Sequence, residues 1–384
     1  MNEDKATRYH RLRRRAILAA EAWKVLCLSG LLVSGLSSIV SRAASAMAAG
    51  LPAWLSLPVA VALWVVAVSA ACGLGGLPLS FYAGFTLERR YGLSRQAPAA
   101  WLADHARASG MGLVYAVAAA VWIMAWLTHW PSGWWLAAWA GFAVADALMA
   151  WAAPVLLLPA FYRIGPLRDA GLRERLLALA SRAGVPAVGI LEWRLGDRSS
   201  RTNAALVGIG ATRRIILSDT LITDYPPAEI EAVVAHELAH HAFHDIWRSL
   251  AVDGAVAGLA LALADRLLRA AAGALSLGGI ADIAGLPVVA LTFIAVGWLA
   301  SPVVNALSRA QERRADRFAL DLTRDAGAFA SAMRRLGARN LADEAPTLAA
   351  RVFFHTHPPI SDRVASAREW VSRDGAGGAT GGAT

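Results

Sequence analysis

Six long apolar runs constrain this chain more than any other feature. They cover approximately residues 17–40, 52–81, 111–130, 134–161, 250–270 and 286–307, and the second sits in a stretch with no charged residue between Arg42 and Glu88. A bilayer core is crossed by about 20 apolar residues in a helix, because no water is present there to satisfy an irregular backbone. At 384 residues the chain could hold two or three soluble domains, but 57% of it is hydrophobic and only 17% charged. The expected fold is therefore mainly α, a polytopic helical bundle of about six spans. Glu21 and Lys24 interrupt the start of the first run, which favours a retained span over a removable signal. The fifth run is interrupted by Asp253 and Asp265.

The charge pattern orients the bundle. Lys5, Arg8, Arg11, Arg13, Arg14 and Arg15 precede the first run, and Arg89, Arg90, Arg95 and Arg107 lie between the second and third. The opposite loops carry little beyond Arg42, Arg266 and Arg269. The positive-inside rule then puts both termini, the 88–110 loop and the 163–249 region in the cytoplasm. The net charge of +9 is accounted for by these flanks, so nucleic acid is not an expected partner and the lipid bilayer is. Cys27 and Cys72 both lie in apolar runs, which reads as two small buried residues and not as a disulfide framework or a cysteine zinc site.

The chain divides into five regions: an amino-terminal membrane region at 1–162, a soluble insertion at 163–249, two further spans at 250–307, a polar carboxyl segment at 308–372, and a glycine-rich flexible tail at 373–384. Within the insertion, "LRERLLALASRAG" has helical spacing and a glycine stop. "GILEW" and "RIILSDTLI" read as short strands.

Chemistry concentrates in "EAVVAHELAHHAFHD" (231–245), whose apolar spacing predicts a helix. Two readings fit it. His236 and His240, one turn apart, can bind one ion together with Glu237 beside it; alternatively this is a histidine-rich surface helix. His244 continues the stripe, but a third histidine ligand would need a glycine-centred turn and other spacing, so His241 and His244 are expected at the surface or an interface. A hydrolytic zinc site takes three protein ligands and leaves one position open. The strongest third candidate is Glu312 in "NALSRAQERRADRFAL", with Asp316 one turn on, where it could accept a hydrogen bond from a ligating histidine. A solvated charged helix is the competing reading. In "FFHTHPPISDRV", His357 precedes two prolines and is held on stiff backbone.

Taken in order, these segments resemble the type I CAAX prenyl proteases and their bacterial relatives, integral-membrane zinc metallopeptidases of the gluzincin kind. The resemblance runs from about Glu88 to Arg368 through "ERRYGLSRQ", "SSRTNAALVGIG" with "RIILSDTLI", "EIEAVVAHELAHH", "NALSRAQERRADRFA" and "THPPISDR". It implies one zinc per chain held by His236, His240 and Glu312, with Glu237 as general base and Asp316 supporting a ligand. It places Asn203 and His357 at the substrate and Arg363 along the same site. The implied activity is hydrolysis of peptide bonds in membrane-associated or lipidated proteins, at the cytoplasmic side of a bacterial plasma membrane. Eukaryotic members have seven spans against six here, and Ala239 stands where many members have glycine. Two other classes compete with this one. An inactive membrane scaffold would most cheaply lose Glu237, which is present. A metal transporter would need ionisable residues near the midplane of several spans.

Overall fold

A computed structural model describes residues 4–185 and 189–379. Six helices in it are long and apolar enough to cross a membrane: Lys5–Val33, Ala53–Arg90, Pro98–His129, Trp134–Ala152, Asp245–Ala274 and Ile283–Thr323. The first run differs from expectation. It is two helices, Lys5–Val33 and Leu36–Ala48, parted at Gly35, whose φ of 72° is a left-handed conformation that costs glycine little. Hydropathy alone does not register such a break, because apolar residues continue on both sides. The helix that starts at Ala53 runs through a π-helical segment at Tyr82–Thr86, so its last turn, Leu87–Arg90, reaches well past the apolar run.

The cysteines are also a correction. Cys27 and Cys72 form a disulfide that ties Lys5–Val33 to the adjacent helix, with Cα atoms 6.0 Å apart. That separation is in bonding range, but only the packing of two helices distant in sequence creates it.

Outside the long apolar helices, the described residues form four short strands: β1 (Ile164–Pro166), β2 (Ile190–Trp193), β3 (Ala204–Val207) and β4 (Arg214–Ser218). Their order is β1-β2-β4-β3, with β2 and β4 parallel and the outer pairs antiparallel, which leaves β3 at an edge. The expected strand through "RIILSDTLI" stops at Ser218, whose side chain accepts from Leu221 N and starts the helix Asp219–Asp224. The motif helix, Pro227–Ala242, packs one face on this sheet: Ile230, Val234 and Leu238 join Ile215, Leu217 and Leu176 in one core. A second core of Trp64, Met124, Trp134 and Leu261 lies inside the membrane bundle.

The strand-bearing region and the membrane bundle are fastened together at the amino-terminal helix. Tyr9 and Arg201 both bind Glu88, the guanidinium at 2.8 Å, and Arg14 pairs with buried Asp343 at 3.2 Å. Next to this, Arg95 N donates to Arg198 O at 2.9 Å, so the 88–96 loop is docked on the segment that leads into β3. At the other end of the chain, the helix Ile360–Ala379 continues past the point where a flexible tail is expected, and 380–384 lie outside the described residues.

Candidate metal centre

Proline at the first turn, where no N–H donor is needed, opens the motif helix. Helical spacing then puts His236 and His240 side by side, ring centroids 5.0 Å apart and planes at 88°. The helix Leu286–Thr323 crosses over them and presents Glu312. Its Oε2 lies 3.2 Å from His236 Nε2 and its Oε1 3.5 Å from His240 Nε2. One ligand atom from each of the three residues can be chosen so that all lie within 4.8 Å of one another. Two Nε2 atoms and a carboxylate facing one point match the donor set of a hydrolytic zinc site.

Each imidazole is held from behind by another carboxylate. His236 Nδ1 donates to Asp316 Oδ1 at 2.9 Å, and Arg363 Nε donates to Asp316 Oδ2 at 2.9 Å. Arg363 Nη2 is 3.2 Å from His236 Nδ1, but with that N–H directed to Asp316 two donors face each other, so this is a contact and not a hydrogen bond. His240 Nδ1 donates to Asp245 Oδ2 at 3.0 Å. With Nδ1 carrying that proton, the neutral form of either ring has its Nε2 lone pair free for a metal at the point Glu312 faces.

Without a metal, the carboxylates around the rings favour the charged imidazoles. Burial and Arg363 push the pKa of His236 down, but the Asp316 and Glu312 carboxylates outweigh them and raise it to about 9. His240 is likewise raised, Glu312 and Asp245 overcoming burial. Such a site holds more negative charge than its own neutral imidazoles compensate. Glu312 Oε2 supplies a test of whether a cation fits: it is buried, and the polar atoms beside it are ring nitrogens, His236 Nε2 at 3.2 Å and His357 Nδ1 at 2.8 Å. A buried carboxylate oxygen that faces imidazole nitrogens is a donor set that a divalent cation fits.

A cavity of about 310 Å³ opens beside this cluster. His236, Glu237, Asn203, His357 and Arg363 line it, while His240, Glu312 and Asp316 stand behind its wall in the cluster itself. His357, two-thirds exposed at the mouth, has Nδ1 2.8 Å from Glu312 Oε2. Arg363 is buried, and its charge is spent on Asp316. His241 and His244 stand outside the cluster. His241 is half-buried, and burial and Arg213 lower its pKa to about 4 although it is hydrogen-bonded to the Leu206 backbone; His244 is exposed.

Three participants escape sequence reasoning. Arg309 donates to the carbonyls of Arg351 at 2.8 Å and His355 at 2.7 Å, which clamps the segment that carries His357. Its place in "SRAQERRADR", one turn before Glu312, is the signal that could have found it. His10, from the amino-terminal helix, lines the far wall of the cavity, and no local pattern announces it. Asp245 was visible as an acid just after the motif, but its approach to His240 depends on a turn.

Comparisons with known proteins agree with this geometry. Residues 166–371 match the profile of Peptidase family M48, and residues 2–163 match that of the CAAX prenyl protease N-terminal region, five membrane helices. The uncharacterized metalloprotease YhfN of Bacillus subtilis is 27% identical over 80% of this chain and 72% of its own length. The CAAX prenyl protease 1 homolog of Arabidopsis thaliana is 30% identical over 75% of this chain and 68% of its own. The crystal structure of S. mikatae Ste24p shares the fold, with a TM-score of 0.80 at 20% identity, covering 94% of this chain and 87% of that one. The chain thus belongs to peptidase family M48, as an integral-membrane zinc metalloprotease of the CAAX prenyl protease type.

Proposed function

We propose that this protein is a zinc endopeptidase that cleaves membrane-associated or lipidated proteins and peptides at the cytoplasmic face of a bacterial plasma membrane. The observation that carries the reading is the convergence of His236, His240 and Glu312, with Glu237 lining the adjoining cavity. The three converging residues would hold one zinc, which when bound supplies Lewis-acid polarisation of the scissile carbonyl and lowers the pKa of water there. Glu237 takes the proton of the attacking water and returns it to the leaving amine, general base and then general acid. His357 and Asn203 border the same cavity and donate to the developing oxyanion. Asp316 fixes the ring of His236, and Arg363 fixes Asp316.

The substrate lies extended along β3. That strand pairs with β4 on one side, and it begins immediately after Asn203, so its other edge offers backbone groups to an added strand. Backbone recognition of this kind gives affinity with little side-chain selectivity. The cytoplasmic placement rests on the basic residues that flank the amino-terminal helix and the 88–110 loop.

The test uses the full chain in detergent. About one zinc per chain, cleavage of a casein-like unstructured protein and loss of cleavage on chelation are expected. A protein that holds its zinc but cleaves neither soluble nor membrane-anchored peptides would instead be a scaffold with a retained metal site.

A further inference from the structure

We propose that Asp245 is the positioning residue for the second metal-binding imidazole, His240, and that Arg314 holds it in place. This rests on the assignment of His236, His240 and Glu312 as the ligand set.

A tight turn creates the contact. The motif helix closes with Phe243 N donating to Ala239 O at 2.9 Å and His244 N to His241 O at 3.1 Å. His244 is then left-handed, with φ 58° and ψ 35°, and the next helix starts at once with Asp245. This one-residue kink turns the chain back, so that the Asp245 carboxylate comes under the ring that precedes it. Its Oδ2 receives His240 Nδ1–H at 3.0 Å, and the side chain is 5% exposed. Its Oδ1 is bound by Arg314 Nη2, with Arg248 Nη1 at 3.4 Å. The Arg314 guanidinium lies 4.3 Å over the Phe243 ring, which fixes its direction.

The arrangement repeats the one behind His236, where Asp316 accepts from Nδ1 and Arg363 secures Asp316. An acceptor at Nδ1 selects the tautomer with an Nε2 lone pair, fixes the ring plane and raises its basicity. The two supports differ in position. Arg363 lines the substrate cavity, whereas Asp245 and Arg314 do not. Asp245 therefore acts on the metal through His240 and does not touch substrate. Arg314 shares its helix with Glu312, so one clamp sets His240 relative to the third ligand.

The competing role is a plain tie between helices, and metal binding alone separates the two. Zinc affinity is measured by chelator competition on the full-length detergent-solubilised protein, and the visible bands of the Co²⁺-substituted protein report ligand geometry. Asp245→Ala is expected to weaken zinc roughly 10–100-fold and to shift the cobalt bands. Asp245→Asn, which keeps an oxygen acceptor, should recover part of both, and it decides the matter if the alanine variant does not fold. Arg314→Gln should fall between wild type and Asp245→Ala. Zinc affinity within about twofold of wild type and an unchanged cobalt spectrum in both Asp245 variants would overturn the role, since loss of a supporting carboxylate costs far more. A wild-type protein that binds no zinc would overturn the ligand set itself, and this proposal with it.

Discussion

Glu312 Oε2 lies 3.2 Å from His236 Nε2, although the helix Asp245–Ala274 and most of the helix Leu286–Thr323 lie between them along the chain. The rest of the site is arranged around that approach. Glu312→Gln keeps the size of the side chain and removes its charge. It is expected to lose more zinc affinity than the roughly 10–100-fold that accompanies loss of a supporting carboxylate. Metal analysis of the purified variant checks this, and a full zinc complement would remove Glu312 from the ligand set.

Glu237 stands on the motif helix beside the proposed ligands His236 and His240 and lines the cavity. Glu237→Gln should retain one zinc per chain while cleavage falls by about 10²–10⁴, the range typical of a lost general base. Parallel metal analysis and peptide cleavage assays separate the two effects. Undiminished cleavage would eliminate the proposed proton transfer.

His357 is placed by neighbours that do not themselves react. The Arg309 clamp on the His355 carbonyl and the two prolines after His357 restrict its backbone. His357→Ala is expected to lower kcat by about a hundredfold or more with KM little changed, the signature of a contact made mainly in the transition state. An unchanged kcat would assign His357 to the cavity rim only.

Proton linkage gives a fourth expectation. In the metal-free protein the pKa of His236 is raised to about 9. Its imidazolium therefore stabilises the fold fully below the unfolded-state value near 6.5, and this contribution is lost as pH rises through about 9. A bound metal needs the neutral ring, so zinc uptake releases a proton and apparent affinity climbs across the same interval. Calorimetric titration at about pH 7.5, inside that interval, in two buffers of different ionisation enthalpy measures the proton. Zinc binding without proton release would contradict the charged state of His236.

A reporter fused to the carboxyl terminus checks orientation. Six spans and the basic flanks of the amino-terminal helix and the 88–110 loop predict a cytoplasmic signal. A reporter active only outside the membrane would reverse the topology and place hydrolysis on the opposite face.

By itself, the sequence determined the relations that short-range geometry dictates. Apolar length marked the apolar parts of five of the six long helices but not their polar extensions, such as the one to Thr323, and helical spacing put His236 and His240 on one face with Glu237 next to them. The same spacing paired Glu312 with Asp316 on one helix. These relations hold within one or two turns, where backbone geometry fixes distance whatever the rest of the chain does. Tertiary structure supplied what the motif helix lacks as a metal site, because only packing brings Glu312 to the point that both rings face. It also set Asp245 under His240 through the left-handed His244, joined Cys27 to Cys72, parted the first apolar run at Gly35 and left β3 at the sheet edge. Each of these depends on how elements remote in sequence pack or on one residue's choice between two backbone wells, and neither is written in local periodicity.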